Sequence, residues 1–326
     1  MFKHDWEKTD QQFQLLPATL HGMIQLAFPS KKLISVKMIS GGCANLNIKI
    51  QIDNEPLYIL RIYLREKEAA YREQKLGQLL GTTIPLPNII FIGDYETYRF
   101  AVIKFIPGIT LRDLLLSTRP YNVKRIMENV GIILAKIHSH HFSAPGLFDK
   151  DLNIVPLSST ETYSSFSQNC LMHPTVMEIL SKDFISKIKV VFDEYRSFFP
   201  NITDNFLVHA DYDPANILVI KKQGEWKIAG IMDWEFSFSG SPLWDVANML
   251  RYAHQMPINF QESFLHGLES NGYKLPKSWQ TSVHLLNLLS LLDCLKRCQP
   301  QHQPRQCVDI FTLIDYILNN ITKSVR

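Results

Sequence analysis

Apolar and polar positions alternate along residues 47–52, the period of a strand with one face buried. Asp53-Asn54-Glu55-Pro56 is a turn, and residues 57–63 supply the partner strand. Residues 34–39, 88–92 and 100–105 read as further strands. They are bounded by Ser40-Gly41-Gly42, by Pro85 and Pro87, and by Gly93-Asp94. Residues 65–80 are rich in Glu, Lys, Ala and Leu and end at Gly81, which predicts a helix. The period changes at Pro107-Gly108. Thr110 can cap a short helix over 111–116, and Ile126, Val130, Ile133, Leu134 and Ile137 form one apolar stripe along 123–138. Residues 158–167 are rich in Ser and Thr and read as a surface loop, and 183–198 as a helix. A hairpin follows, with strands over 217–220 and 226–232 around Lys221-Lys222-Gln223-Gly224-Glu225. After Pro242 the pattern is helical to the end, with breaks near Pro257, 272–276 and 299–304. A small, mostly β lobe over 1–106 therefore precedes a larger, mostly helical lobe over 107–326. Pro107-Gly108 is the expected hinge, and a cleft between lobes suits a small molecule.

Composition removes several function classes. Hydrophobic residues make up 46% and charged residues 20% of the 326, as in an ordinary globular protein. The net charge is +3, from 34 basic and 31 acidic residues, with no long block of like charge. Neither nucleic acid nor a membrane surface is therefore an expected partner. Residues 1–10 are polar, hold three acidic residues and lack the apolar core of a signal peptide. The most apolar stretch, 285–295, is interrupted by Asn287, Ser290 and Asp293 and falls short of the roughly 20 residues a membrane span needs. The five cysteines include no Cys-x-x-Cys, so reduced thiols in a cytoplasmic protein are expected.

The chemistry concentrates in His209-Ala210-Asp211-Tyr212-Asp213-Pro214-Ala215-Asn216 and in Met232-Asp233-Trp234-Glu235. Asp-x-x-x-x-Asn alone is compatible with a turn held by side-chain hydrogen bonds. The hairpin changes that reading, because its far end returns Asp233 beside Asn216. An acidic residue closing an apolar strand has no packing reason to be there. Asp211 can then orient or deprotonate a hydroxyl, while Asn216 and Asp233 offer hard oxygen ligands to Mg²⁺. His209 reads as a hydrogen-bonded support of the loop, since the aspartate already supplies the base. In the β lobe, Gly41 and Gly42 let backbone N–H groups approach phosphate oxygens. Arg61 is a lone cation among apolar strand residues, and Glu73 on the next helix is its natural partner. Such a pair can hold the cation over nucleotide phosphates.

Taken together these residues resemble the aminoglycoside phosphotransferase and choline kinase-like family. The matching segments, in chain order, begin with Gly41-Gly42-x-x-Asn45, Leu60-Arg61-Ile62 with Glu73, and Phe105-Ile106-Pro107-Gly108. Leu134-Ala135-Lys136-Ile137-His138, the segment from His209 to Asn216, and Met232-Asp233-Trp234-Glu235 follow. Pro242-Leu243-Trp244-Asp245-Val246-Ala247 is the last. The resemblance implies an α+β, two-lobed protein kinase-like fold, with a small antiparallel β N-lobe and a larger, mainly helical C-lobe. It implies ATP, or GTP, as phosphoryl donor with Mg²⁺. Asp211 is then the catalytic base, and Asn216 and Asp233 the metal ligands. Gly41, Gly42, Asn45, Arg61, Glu73, Phe105 and Ile106 are the implied nucleotide site, and Asp245 braces the catalytic loop. Family members studied as resistance enzymes usually carry Lys where this chain has Arg61, which keeps the charge but not the compact ammonium.

The acceptor implied is a hydroxyl of a small molecule, a metabolite before an aminoglycoside-type antibiotic. A polycationic antibiotic calls for a pocket rich in carboxylates, and Asp213 and Glu235 are the nearest candidates. Two other readings are a catalytically silent kinase-like scaffold and a protein kinase. Survival of Asp211, Asn216 and Asp233 argues against the first, and the short distance from Asp233 to Pro242 leaves little room for a peptide platform. Oligomeric state is not legible in the sequence.

Overall fold

The computed structural model describes residues 2–7, 15–39, 45–81, 83–156 and 162–321. Helix α1 (Pro17–Ala27) opens with proline in its first turn, where the missing N–H costs nothing. Strands β1 (Leu33–Ile39), β2 (Leu46–Ile52) and β3 (Leu57–Tyr63) lead to helix α2 (Ala69–Leu80), then strands β4 (Ile89–Tyr95) and β5 (Tyr98–Lys104). They form one antiparallel sheet in the order β1-β2-β3-β5-β4. Alternation in β2 buries Leu46, Ile48, Ile50 and Ile52, in one cluster with Met23 and Ile24 of α1. The register sets Arg61 of β3 opposite Asn47 and Ala101.

Helices carry most of the remaining chain. Strand β6 (Ile109–Thr110) precedes α3 (Leu111–Leu115), whose cap is Thr110, accepting from the Asp113 N–H at 3.0 Å. Helix α4 (Val123–His138), strands β7 (Gly146–Phe148) and β8 (Ile154–Val155), and helices α5 (Tyr163–Leu171), α6 (Pro174–Ile179) and α7 (Lys182–Glu194) follow. Strand β9 (Phe206–Val208) leads into the hairpin β10 (Ile217–Lys222) and β11 (Glu225–Ile231), then β12 (Phe238–Gly240). Helices α8 (Leu243–Leu250), α9 (Asn259–Glu269), α10 (Trp279–Lys296) and α11 (Pro304–Asn320) complete it. Helices α4 and α9 cross at two glycines. A Cβ on Gly131 would lie 2.1 Å from the Phe264 carbonyl oxygen, and one on Gly267 2.1 Å from that of Glu128. No described helix is long and apolar enough to cross a membrane.

This is the two-lobed, kinase-like arrangement expected: an antiparallel β lobe, then a helical lobe. Three local expectations shift. The α2 helix begins at Ala69 rather than at 65, because residues 66–69 close a tighter turn, the Ala69 N–H donating to the Glu66 carbonyl at 3.3 Å. The helix expected over 183–198 ends at Glu194, where a separate short turn, Arg196–Phe198, takes over. The surface loop expected over 158–167 is helical from Tyr163, and residues 157–161 lie outside the described part. The Ser/Thr content that suggested a loop forms a capping box instead, Thr162 accepting from Ser165 N–H and Ser165 Oγ accepting from Thr162 N–H.

Candidate active site

The segment between β9 and β10 is held from below by Asp245 of α8, which is fully buried. Its carboxylate accepts from the backbone N–H of His209 at 2.9 Å and of Ala210 at 2.8 Å, and meets His138 Nε2 at 3.0 Å. Ala210 is thereby kept at φ 68°, and its carbonyl accepts from Asn248 Nδ2 at 2.7 Å. His209 is buried. Its Nδ1 accepts from the Asp211 N–H at 3.2 Å, so Nε2 carries the proton and donates to the Met232 carbonyl at 2.9 Å. Asn216 Nδ2 donates to the Asp211 carboxylate and to its carbonyl, both at 2.9 Å, which fixes the separation that the Asp-x-x-x-x-Asn spacing allowed. The Asn216 carbonyl accepts from Met232 N–H at 2.8 Å, so the hairpin brings Asp233 beside the loop. Asp233 is at φ 68°.

The β lobe meets this loop through charge. Arg61 hydrogen-bonds Asp233 and lies 3.5 Å from Glu73 and 3.6 Å from Glu235. The expected pair with Glu73 is present, but the guanidinium bonds to Asp233 directly. Three carboxyl groups thus surround one guanidinium, an arrangement that favours a further cation. Burial raises the carboxyls of Glu73 and Glu235, the latter to about 7, with Asp233 adding repulsion and Arg61 opposing it. Glu73 Oε1, Glu235 Oε1 and Arg61 Nε are buried without hydrogen-bond partners. Orphaned buried oxygens are costly unless a ligand completes them. Asn216 Oδ1 and Asp233 are oxygen donors of the type Mg²⁺ prefers, so the residues present fit that ion.

Other expected site residues fall as follows. Gly41 and Gly42 lie outside the described residues. Asn45 is buried and spends its amide within the protein, donating to Glu235 Oε2 at 2.6 Å and accepting from Leu64 N–H at 3.2 Å. Phe105 and Ile106 line a cavity of about 960 Å³ together with Arg61, Asp211, Asn216 and Asp233. Of the two acceptor candidates, Glu235 lies in the cluster around Arg61. Asp213 caps the short turn Pro214–Asn216, accepting from Ala215 N–H at 2.7 Å, and is 3% exposed.

The family model described as the phosphotransferase enzyme family matches residues 35–279, most of the chain. The chain belongs to that family. No curated protein matches the phosphotransferase in sequence. Among solved structures it resembles a thermostable mutant of aminoglycoside phosphotransferase APH(4)-Ia in ternary complex with AMP-PNP and hygromycin B. The TM-score is 0.66 and the identity 18%, over 94% of this chain and 98% of that one. It also resembles an APH(2'')-type enzyme in complex with GDP and kanamycin, with TM-score 0.68 and identity 16%, over 92% and 98% of the two chains. Those likenesses carry the fold, and the family carries the enzyme class, transfer of a phosphoryl group to a hydroxyl.

One part of the phosphotransferase site escaped the sequence reading. Residues 2–7, expected with the β lobe, form a strap across the helical lobe. Phe2 is fully buried against Tyr252 and Phe260, with ring centroids 5.0 and 6.2 Å away. Trp6 Nε1 donates to Asp309 at 2.8 Å, and Glu7 accepts from the Arg305 and Gln306 N–H groups opening α11. Between these anchors Lys3 Nζ lies 2.5 Å from Asp211 and 2.8 Å from Asp213. Burial alone would raise the Asp211 carboxyl, but the Lys3 ammonium outweighs it and holds it below the usual range. The only signal was a Phe2 and Trp6 pair in an otherwise polar stretch. Arg72 was also missed. Its guanidinium donates to the Glu235 carbonyl at 2.6 Å and the Phe148 carbonyl at 3.2 Å, tying α2 to the catalytic side.

Proposed function

We propose that this enzyme transfers the γ-phosphoryl group of ATP, or GTP, to a hydroxyl of a small molecule, with Asp211 as base and Mg²⁺ bound by Asn216 and Asp233. The observation that carries this is the hydrogen bonding of Asn216 to Asp211 beside the carboxyl-rich cluster of Glu73, Asp233, Glu235 and Arg61. Asp211 orients the acceptor hydroxyl and takes its proton. The acceptor oxygen bonds to the γ-phosphorus as the bond to the β,γ-bridging oxygen breaks, and the nucleoside diphosphate leaves. Asn216 keeps the Asp211 carboxylate in place. When bound, Mg²⁺ supplies positive charge against the phosphate oxygens. Asp245 and His209 act through the backbone of the loop.

ATP consumption with Mg²⁺, measured across hydroxylated metabolites and aminoglycosides, tests the activity. Asp211→Asn should abolish turnover while nucleotide binding persists, and Asp233→Ala should abolish Mg²⁺-dependent ATP binding. Wild-type rates in either variant would sink the mechanism. A second reading, a silent nucleotide-binding scaffold, is favoured by one observation, the occupation of Asp211 by Lys3. Mg²⁺-dependent ATP binding without turnover of any acceptor would support it.

A further inference from the structure

On the helical-lobe side, the cavity wall near Asp211 carries Lys3, Arg251 and Arg297. Helix α10 presents Ser290, Asp293, Cys294 and Arg297 to the same cavity, positions three and four apart that share one face. Arg251 is 7% exposed. Its hydrogen bonds go to neutral partners, Nε to Asn287 at 2.9 Å and Nη2 to Ser290 at 2.9 Å and to Asn248. Among the described residues no carboxylate forms an ion pair with it. The Asp211 carboxylate feels its charge, but that carboxylate is already held by Lys3. A buried guanidinium compensated only by neutral groups is costly unless an anion completes it.

The carboxylates of this wall are likewise committed. Asp211 and Asp213 share Lys3. Asp293 is shared by Lys296 at 3.1 Å and Arg297 at 2.7 Å. Asp204 is the one lining carboxylate here without an ion-pair partner among the described residues. Lys3 and Arg297 are held by those same carboxylates, which leaves Arg251 as the one cation of this wall without an ion-pair partner among the described residues, buried and bonded only to neutral groups.

Resting on the kinase reading of this site, we infer that the acceptor carries an anionic group, a carboxylate or a phosphate, received by Arg251 and Arg297 while its hydroxyl faces Asp211. Guanidinium groups suit both anions, because their donors form a planar fork. Charge on the acceptor is then read by α8 and α10, away from the metal-binding cluster.

Calorimetric titration of the full chain, saturated with Mg²⁺ and AMP-PNP, tests this with inorganic phosphate, malonate and kanamycin as probes. Phosphate or malonate should bind saturably, and the better of the two identifies the anion. Arg297→Gln, which changes a partly exposed side chain, should weaken that binding about tenfold or more. Arg251→Lys, which keeps charge but loses the fork, should weaken it as well. Kanamycin binding more tightly than both anions would overturn the inference. So would absence of anion binding, or wild-type anion affinity in both variants. The first step separates the two ideas. If AMP-PNP does not bind, the kinase reading fails, and the same anion titrations on nucleotide-free protein still decide the cationic wall.

Discussion

Replacing Asp245 by Asn should remove most of the force that shapes the loop over residues 209–216. The buried carboxylate accepts two backbone N–H groups of the loop after β9 and faces His138 Nε2 on α4. Asn has nearly the same volume, so no cavity is created. One oxygen becomes an NH₂, however, which can only face a donor with another donor. Each lost hydrogen bond to a charged group is worth about 1.5–3 kcal/mol. The strain of Ala210 at φ 68° is no longer held by its neighbours, which adds about 1 kcal/mol. The expected destabilisation is about 3–5 kcal/mol, in line with the loss of one partner from a buried charged network. At about 2 °C per kcal/mol for a chain of this size, Tm should fall by about 6–10 °C. Urea denaturation and a thermal scan at neutral pH measure both quantities. An Asn variant within about 1 kcal/mol and 2 °C of wild type would refute the claim that Asp245 positions the loop.

Lys3→Met should raise the Asp211 carboxyl, because the ammonium that outweighs its burial is gone. The acid limb of the pH profile for turnover should then move up, and an unmoved limb would separate Lys3 from the titration of Asp211. His284 is held down to about 4 by burial, with His254 adding repulsion. Its folded value is below the unfolded one, so acid favours unfolding between about pH 6.5 and 4, by up to about 3 kcal/mol. His284→Gln should flatten urea stability across that window, and an unchanged pH dependence would contradict the burial. Gly131→Ala forces a methyl against the backbone of α9, so it should cost at least about 2 kcal/mol in urea denaturation or push the two helices apart. A neutral substitution would mean that the α4–α9 contact is looser than described.

What could be read from the chain beforehand was what rests on local pattern. Strand β3 and helix α4 fell on their expected residues because alternation and the helical stripe both report a buried face. Asp211, Asn216, Asp233 and Asp245 were legible because a loop, a hairpin and a helix start bring them together over short stretches. The partners of Glu235 and Asp213 were not legible, since which side of the loop a carboxylate faces depends on residues far away in sequence. Asn45 and Arg61 supply that partner for Glu235, and Lys3 for Asp213. Arg251 belongs to no motif that the sequence displays. Its significance lies in being surrounded by Asn248, Asn287 and Ser290, which only tertiary packing reveals.

The strap over residues 2–7 also has a kinetic meaning. Lys3 meets Asp211 across 208 residues, Trp6 meets Asp309 across 303, and Glu7 meets Arg305 across 298. The β sheet over 33–104 closes through far shorter loops. Contacts that must close such long loops form after local ones, because their entropy is recovered only once both anchors exist. The anchors for Trp6 and Glu7 lie on α11, near the other end of the chain. The lysine that faces Asp211 is therefore seated only after α11 has been made and docked. Until α11 has docked, Asp211 stands without Lys3, so the strap and α11 order this carboxylate together.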